Sequence, residues 1–542
     1  MNPTTPLRSV RAVVVLAAIA VIVMTALRFT TATAAGSGGW NPIGHGATAS
    51  DPALAGKVET FTSAGNTVYV GGDFIDAGGL AKADHIASWD GTAWSALGGG
   101  LGNGPSAVYA IAVDPVTGDV FAAGSFQNAG GDQAADAIAR FDGTSWTSLS
   151  SVGLNGPVFA LAIVGRTLYI GGGFSEAAAI AEADAVASYG IDSGAWAAIT
   201  NDSNDIGGTV CCLVPDGNGG LYVGGSFINA DGIAAADYAA HYLGGTAWSA
   251  IGTSTALNGR VRAIAVSGSN VYVGGDFVNA GGDTSADKVA KYDGSDWSPL
   301  GSTSAFGEGS SSVYALALDK GTVFAAGYFN NAGGNAKIDG IGAFKAGAWT
   351  NVGSDAAGTN GPVPLNTQMT SLRVVGDQLF LGGLASAIGG STKNGYASWF
   401  RLRQPDGQIA VGTGAFVGNG VYNTTGANQT RQQTVHRTRT GTFTIKITND
   451  GFSADTIDVK GAGSFGPFKV TYLSGTTNIT AAVVAGTYST GSIGAGASRT
   501  IKLKVTVASG ASVGATRAFL VSSTSTGAGT PKDTVKAIVK AS

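Results

Sequence analysis

Cysteine, histidine and charged side chains are scarce in this chain of 542 residues. The two cysteines, Cys211 and Cys212, are adjacent, which excludes a disulfide framework across the fold. The four histidines share no metal-ligand spacing, so no metal site and no cofactor are predicted. Charged residues make up 12% of the chain, about half of the ~25% found in average soluble domains. The formal net charge of −4 excludes the basic surface with which proteins bind nucleic acid.

Glycine, by contrast, is abundant, with 87 residues, and hydrophobic residues make up 44% of the chain. Glycine and proline together stay below the ~25–30% that marks low-complexity disorder. The hydrophobic fraction is also too high for a disordered chain. Since the glycines have no strict period of three, collagen is excluded. The composition therefore predicts a large, packed chain that is rich in turns.

The beginning of the chain has the pattern of a targeting segment. Arg8 and Arg11 precede an apolar run over 12–27, and residues 32–34 read Ala-Thr-Ala, an A-x-A cleavage pattern. The apolar run is shorter than the ~20 residues that span a membrane comfortably. We therefore predict a signal peptide over 1–35, with an uncleaved signal anchor as the alternative. The protein is expected to be secreted or held at the cell surface, with no membrane contact beyond that anchor.

One motif recurs seven times with a period near fifty residues: an aromatic residue, an apolar residue, Gly-Gly, any residue and Phe. Its clearest copy is Tyr69–Phe74, two copies replace the first glycine by alanine, and the last copy is degenerate. Repeats of this period are typical of kelch propellers. The remaining copies are Phe121–Phe126, Tyr169–Phe174, Tyr222–Phe227, Tyr272–Phe277, Phe324–Phe329 and Phe380–Ala385.

Each repeat carries four strand signals, which we call a, b, c and d. Strand b is the motif, strand a precedes it, strand c ends in an aromatic residue, and strand d begins at a tryptophan, as at Trp297. Asp-Gly pairs such as 293–294 predict the hairpin turn between c and d. The seventh repeat lacks a strand d after Trp399, while Trp40 stands before the first repeat. We therefore predict a seven-bladed β-propeller in which the N-terminal strand closes the last blade.

These residues resemble kelch and galactose-oxidase-type propellers over about 38–402. The resemblance depends on Gly-Gly after an apolar strand, then the strand c aromatic, then a tryptophan five residues later, as in Trp89 and Trp94. The Gly-Gly-Asp-Phe and Asn-Ala-Gly-Gly phrases are also similar to repeats of large bacterial surface proteins. The resemblance implies the fold and leaves function open. Copper oxidases of this fold use tyrosine and histidine ligands, and no matching histidine cluster is present here.

The sequence after the repeats predicts a second unit. The segments 442–448, 501–507 and 535–540 alternate apolar and polar residues, as half-exposed antiparallel strands do. The whole chain is thus predicted to be all-β: a seven-bladed β-propeller over 36–402, a linker over 403–425 and an immunoglobulin-like β-sandwich over 426–542. The sandwich loosely resembles accessory modules of exported bacterial proteins, which implies a spacer or adhesion role.

Acidic residues recur before strand c in nearly every repeat. We interpret them as residues that satisfy the backbone at a turn, and the asparagines Asn128, Asn279 and Asn331 likewise, because catalysis needs unequal environments for an acid and a base. The alternative for these aspartates is a ring of carboxylates that binds cations. A separate calcium-binding loop is the alternative for residues 201–205. The acidic positions are Asp84, Asp136, Asp184, Asp237, Asp287 and Asp339, with Asn394 in the seventh repeat.

The cysteine pair lies within a strand a. Aligned with the other repeats, Cys211 takes the place of Ala110 or Ala263, and Cys212 the place of an isoleucine. We predict two small buried apolar residues there, with a vicinal disulfide as the alternative.

The residues that open strand a beside the variable d–a loops differ from repeat to repeat, while the apolar residues after them barely change. Variation at a loop face favours binding, and Tyr, Phe and Arg suit recognition of a protein or glycan. The alternative is that the aromatic residues only fill the mouth of the channel. The predicted binding residues are Glu59, Tyr109, Phe159, Arg262 and Tyr314, with Val210 and Thr370 at the equivalent positions.

Three functions follow, and we favour the first. It is an exported, non-enzymatic protein that presents this face to a protein or glycan at the cell surface. The second is an extracellular enzyme acting on polysaccharide, for which Glu59, Asp202 and Glu308 would have to converge as acid and base. The third is a structural or adhesion component of the cell surface.

Overall fold

The computed structural model describes residues 39–101, 106–200, 206–252, 257–301, 306, 311–355, 357–392, 396–527 and 531–542. The segment predicted as a signal peptide, the loop 201–205, Glu308 and Asn394 lie outside these ranges. The described chain is all-β, with 38 strands, six short 3-10 helices and one α-helix, α1 (Thr480–Ala485). None of the helices in the described ranges combines the length and apolar character needed to cross a membrane.

Seven four-stranded antiparallel sheets follow one another along the chain, each with its strands in chain order. The seventh sheet takes its fourth strand, β1 (Trp40–Pro42), from the N-terminal side of the repeats. The other strands of the sheets are β2 (Val58–Ala64), β3 (Thr67–Gly72), β4 (Ile86–Trp89) and β5 (Trp94–Ala96); β6 (Val108–Val113), β7 (Val120–Gly124), β8 (Ile138–Phe141) and β9 (Trp146–Thr147); β10 (Val158–Val164), β11 (Thr167–Gly172), β12 (Val186–Gly190) and β13 (Trp196–Ala197); β14 (Val210–Pro215), β15 (Leu221–Gly225), β16 (Ala239–Gly244) and β17 (Ala247–Ala250); β18 (Val261–Ser267), β19 (Asn270–Gly275), β20 (Val289–Tyr292) and β21 (Trp297–Pro299); β22 (Ser312–Asp319), β23 (Thr322–Tyr328), β24 (Ile341–Lys345) and β25 (Ala348–Thr350); and β26 (Met369–Val375), β27 (Gln378–Gly383) and β28 (Ala397–Arg401).

A tryptophan in the fourth strand of every sheet donates its indole N–H to a backbone carbonyl of the preceding sheet. In the seventh sheet, Trp40 Nε1 donates to Val352 O over 2.8 Å, and Trp94 of the first sheet donates to Ile43 O beside β1 over 3.0 Å. Each sheet is thus bonded to the one before it, and the first sheet to the seventh. The other five donors are Trp146, Trp196, Trp248, Trp297 and Trp349.

The Gly-Gly motif is explained by two close approaches of neighbouring backbone and side chains. A Cβ on Gly71 would lie 2.6 Å from Val108 Cγ1, which belongs to the first strand of the next sheet. A Cβ on Gly72 would lie 2.0 Å from Lys57 O. In the last repeat, the Cβ of a substituted Gly382 would lie 2.6 Å from Val58 Cγ1, so the seventh sheet packs on the first in the same way.

The recurrent aspartates hold the loop between the second and third strands. In each of the six repeats with an aspartate, one carboxylate oxygen accepts the backbone N–H of the residue eight positions earlier, over 2.8 Å between Asp84 and Asp76 N, for example. That earlier residue is Asn128 in the second sheet, with a φ of 54°. Side-chain acceptors near such strained turns replace missing backbone partners. These hydrogen bonds agree with the structural interpretation of both residue types.

The C-terminal unit consists of two five-stranded sheets, in the orders β29-β31-β36-β33-β34 and β30-β38-β37-β32-β35. Strand β30 pairs with β38 in parallel, and the other pairings are antiparallel. A core of alternating apolar residues, including Phe443, Ile445 and Ile447, lies in this unit. Its strands are β29 (Pro405–Val411), β30 (Thr430–Val435), β31 (Thr440–Asn449), β32 (Asp455–Gly461), β33 (Phe468–Ser474), β34 (Thr477–Asn478), β35 (Tyr488–Ile493), β36 (Ser498–Val507), β37 (Thr516–Ser525) and β38 (Lys532–Ala541).

Part of the range predicted as a linker, 403–425, is therefore strand. Pro405–Val411 forms β29 at the edge of the first C-terminal sheet and pairs with β31 along its whole length. The sequence did not predict this strand, because Asp406 and Gln408 are polar yet buried and the segment therefore lacks the alternation of a half-exposed strand.

A buried ion pair joins the repeats to the C-terminal unit. Arg403 is 1% exposed, and its Nη2 donates to both carboxylate oxygens of Asp319, over 2.7 Å to Oδ2. Ser453 Oγ donates to the same Oδ2 over 2.9 Å. Beside this pair, Lys345 Nζ lies 3.7 Å from the ring centroid of Phe452. A cleft of about 550 Å³ opens next to the contact.

Asp406 and Asp533 of the C-terminal unit and Asp142 of the second sheet are expected to respond to pH in opposite directions. Burial raises the pKa of Asp406 in β29 to about 6, and burial also raises the pKa of Asp533 in β38. Both values lie above the ~3.9 of an unfolded aspartate. The contribution of Asp406 to stability is therefore complete below about pH 4 and is lost as the pH rises through about 6, and that of Asp533 is lost in the same direction. In the turn of the second sheet, hydrogen bonds from Thr144 and Ser145 lower the pKa of Asp142 to about 2, so its contribution is lost only as the pH falls from about 4 through 2.

Hydrogen exchange can measure this difference strand by strand. We expect the protection factors of β29 and β38, corrected for intrinsic exchange, to be higher at pH 4.5 than at pH 7.5. Strands β8 and β9, beside Asp142, serve as the internal control and should not gain protection at pH 4.5. Equal protection of β29 at both pH values would contradict the burial of Asp406 as an ionisable group.

Candidate functional site

The first strand of every sheet contains a β-bulge at the same place. In β2, Val58 pairs with Gly72 and Thr60 with Gly71, so Glu59 has no partner residue on β3. A bulge re-aims the side chain of the extra residue and bends the strand. The seven extra residues, which we call the bulge residues, are Glu59, Tyr109, Phe159, Cys211, Arg262, Tyr314 and Thr370.

The structure places all five predicted binding residues at these bulges, but it corrects the fourth sheet. Val210, predicted as the equivalent residue, is fully buried and pairs with Gly225, as Val261 pairs with Gly275. Cys211 occupies the bulge instead. Cys212 then corresponds to Ala263. Leu213 corresponds to Ile264, at the apolar position that the sequence comparison between repeats had assigned to Cys212. The run Val210–Val214 is apolar throughout, so nothing in it marked which residue was the extra one.

Four of the bulge residues, Tyr109, Cys211, Arg262 and Thr370, contact the next sheet. The rings of Tyr109 and Phe159 lie 5.3 Å apart between their centroids, at an interplanar angle of 33°. The guanidinium carbon of Arg262 lies 4.6 Å from the ring centroid of Tyr314. Thr370 Oγ1 donates to a carbonyl oxygen of the first sheet, Val58 O, over 2.6 Å. The bulge residues therefore form a series of contacts that passes from sheet to sheet.

The charged members of the series are paired. Arg262 Nη2 lies 2.8 Å from Asp276 Oδ2, and Asp276 is the variable residue of the fifth motif. Burial alone would raise the pKa of Asp276, but hydrogen bonds from Arg262 and Ser312 lower it below its ordinary value. On the first sheet, Lys57 Nζ lies 2.7 Å from Glu59 Oε1. The series thus presents one aromatic pair and one arginine–tyrosine–carboxylate group, both half-buried.

The three acid–base residues proposed from the sequence are not seen together among the described residues. Glu59 is held by Lys57, and the other two candidates, Asp202 and Glu308, lie outside the described residues. No group of three or more His, Cys, Asp or Glu within the described ranges is arranged to hold a metal ion.

One histidine–carboxylate pair does occur, at the opposite end of the fourth sheet from the bulge. His241 Nε2 lies 2.9 Å from Asp216 Oδ2, and the imidazole stacks on Tyr222 at 4.3 Å between ring centroids. The second sheet has an ion pair, Arg140 with Asp119, at the corresponding place. An ion pair in the same structural position favours a structural role for the histidine pair.

Sequence reasoning missed two residues of the site. Asp276 was not recognised because the variable position of the motif is aspartate only in the first and fifth repeats and is serine, glycine, tyrosine or leucine in the others. Arg260 was not recognised because it lies in the variable loop before β18, although its buried Nε lacks a hydrogen-bond partner among the described residues. Both residues lie close to the bulge residue Arg262. The sequence alone does not show this closeness, because it depends on the strand register at the bulge.

Comparisons with known proteins add no family to these observations. No family model matches the chain, and no curated protein matches it. Among solved structures, the secreted serine protease VesC from Vibrio cholerae matches with 12% sequence identity and a TM-score of 0.15. The match covers 31% of this chain and 36% of that chain, so this chain spans about a third of its length. A likeness this weak carries no argument about fold or activity.

Proposed function

We propose that this chain is an exported binding protein whose seven sheets form a closed, kelch-type seven-bladed β-propeller. The observation that supports the ring is the tryptophan series, in which Trp94 of the first sheet donates to Ile43 of the seventh as every other sheet bonds to its predecessor. The first strands also contact one another in the order of the sheets, and β2 contacts β26. The C-terminal pair of sheets is then an immunoglobulin-like spacer or tether.

In such a ring, the bulge residues gather on one face around the central channel. We infer that this face binds a protein or a glycan at the cell surface. The seven bulge positions share one backbone geometry but carry six different residue types, which suits recognition rather than packing alone. Tyr109, Tyr314 and Arg262 belong to the residue types that dominate binding hot spots, and Phe159 to a type enriched in interfaces. The aromatic pair would contact apolar surface, and Arg262 would contact an acidic group.

The test is a glycan array and a capture screen of cell-surface proteins with the chain lacking residues 1–35. The double variant Tyr109→Ala/Arg262→Ala is expected to weaken binding of the partner found by at least about tenfold, a loss on the scale of one hot-spot residue. Val116→Ala/Leu243→Ala is the matched control, because both residues are exposed near the opposite ends of their sheets. Equal binding by both variants would reject this face, and a loss in the control alone would place the site on the other face.

A further inference from the structure

The adjacent cysteines bring two thiols to one side of a strand. Successive side chains of a regular strand point to opposite faces, so neighbouring thiols would diverge. The bulge of β14 interrupts this alternation between Val210 and Cys212, and both sulfurs face Val261 of the next sheet. Cys211 Sγ lies 3.0 Å from Val261 O, and Cys212 Sγ and Val261 Cγ1 lie 2.5 and 2.8 Å from the position that a Cβ on Gly224 would take. Both cysteines are reduced and partly buried.

The surroundings of the pair favour a thiolate on Cys211. Its hydrogen bond with the Cys212 thiol, opposed by burial and helped by the nearby charges of Arg260 and Arg262, lowers the pKa of Cys211 to about 7. The same hydrogen bond and burial raise the pKa of Cys212 well above its ordinary value. While it is protonated, Cys211 Sγ donates a hydrogen bond to Val261 O over 3.0 Å. Ionisation breaks this hydrogen bond, and the charges of Arg260 and Arg262 stabilise the thiolate instead. The pair thus divides into one nucleophile and one protonated partner.

We propose that Cys211 and Cys212 form a hydroperoxide-reactive dithiol, in which Cys211 is the attacking sulfur and Cys212 resolves the product to a vicinal disulfide. The observations that carry this are the shared side of the bulge, where both sulfurs lie beside Val261, and the buried, unpartnered Nε of Arg260. Low-pKa cysteines poised next to a resolving cysteine are the sites where reversible oxidation occurs.

The chemistry balances with a hydroperoxide ROOH as the oxidant. The Cys211 thiolate attacks the terminal peroxide oxygen, the O–O bond breaks, and the departing alkoxide takes up the proton that Cys211 had released, giving ROH and a sulfenic acid. Cys212 Sγ then attacks Cys211 Sγ, the S–O bond breaks, and hydroxide leaves with the Cys212 proton as water. Two thiols lose two electrons to the peroxide, and the products are a disulfide, ROH and water.

Mass spectrometry after treatment with hydrogen peroxide tests the proposal. The untreated chain should accept iodoacetamide at Cys211 at pH 7.5, whereas the treated chain should have lost two hydrogens and accept none until a reductant is added. In Cys212→Ser, dimedone should trap a sulfenic acid on Cys211. In Cys211→Ser, Cys212 should stay unmodified under the same conditions. Undiminished alkylation of Cys211 after peroxide treatment would overturn the proposal.

The role of Arg260 is separable from folding. Arg260→Gln should slow the reaction of Cys211 with peroxide at pH 7 by about fivefold, as expected when a thiol pKa near 7 rises by about one unit. Arg260→Lys should retain most of the rate, and both variants should unfold at the same temperature as the parent chain. An unchanged rate in Arg260→Gln, with folding intact, would show that the arginine does not activate the thiol and would contradict this assignment.

Discussion

Replacing Trp40 by alanine is expected to lower the free energy of unfolding by about 3–5 kcal/mol, the range for removing a large buried aromatic side chain. Trp40 is 1% exposed, and its ring lies 5.3 Å from that of Phe400 between centroids. Its indole N–H donates to Val352 O, so the substitution also leaves a buried carbonyl without its donor. The rest of the three-residue strand β1 is held to β28 by the strand pairing and by hydrogen bonds from Ser398 Oγ to Asn41 O and from Trp399 Nε1 to Pro42 O.

Denaturant unfolding of the chain from residue 36 measures this effect. Trp40→Phe is the informative companion, since it keeps most of the ring area but loses the N–H donor, and it should lie between the parent and Trp40→Ala. Val116→Ala, at a position that is 72% exposed, controls for a substitution as such and should change stability by under ~0.5 kcal/mol. A loss of under ~0.5 kcal/mol in Trp40→Ala would show that β1 does not complete the seventh sheet.

The second large effect is expected at the junction of the two units. Asp319→Ala leaves Arg403 buried without its carboxylate, and breaking a buried ion pair from one side costs about 3–5 kcal/mol. Ser453 loses an acceptor in the same variant. The C-terminal unit should then unfold at lower denaturant than the repeats, because the contact that couples them is lost.

A double-mutant cycle separates the pair from its burial cost. Asp319→Ala/Arg403→Met should recover much of the stability, because the second substitution removes the uncompensated charge and fills its volume with an apolar side chain. Lys345→Met, in the neighbouring contact with Phe452, is the matched control and should show no such recovery in combination with Asp319→Ala. Additive losses in Asp319→Ala/Arg403→Met would contradict a direct pair.

The repeated sheets were predictable because the contacts that create them recur. Gly72 and Trp94 stand at fixed places in every repeat for reasons of space and hydrogen bonding that are local to one sheet and its neighbour. The four-stranded antiparallel sheets and the place of Trp40 in the seventh sheet follow from that spacing and are confirmed. The propeller closure and the immunoglobulin-like fold remain proposals.

The features that the sequence did not predict depend on single contacts. The bulge that puts Cys211 in place of Val210 adds one residue to an apolar run and leaves no periodic trace. Arg403 and Asp319 are 84 residues apart, and Arg403 lies after the last strand of the repeats. The binding face was predicted from variation between repeats, and its ligand depends on side-chain groupings that only the folded chain brings together.

The closed ring that gathers the bulge residues on one face is tested most directly by spin-label distances. Ile75, Gln127, Ile228 and Ser386 are exposed and each follows the motif of its sheet, the first, second, fourth and seventh. With labels introduced in pairs into Cys211→Ala/Cys212→Ala, a closed ring predicts that the distance from the first sheet to the seventh equals that to the second. Both should be shorter than the distance to the fourth. A first-to-seventh distance longer than the first-to-fourth distance would mean an open array and would contradict the proposed propeller.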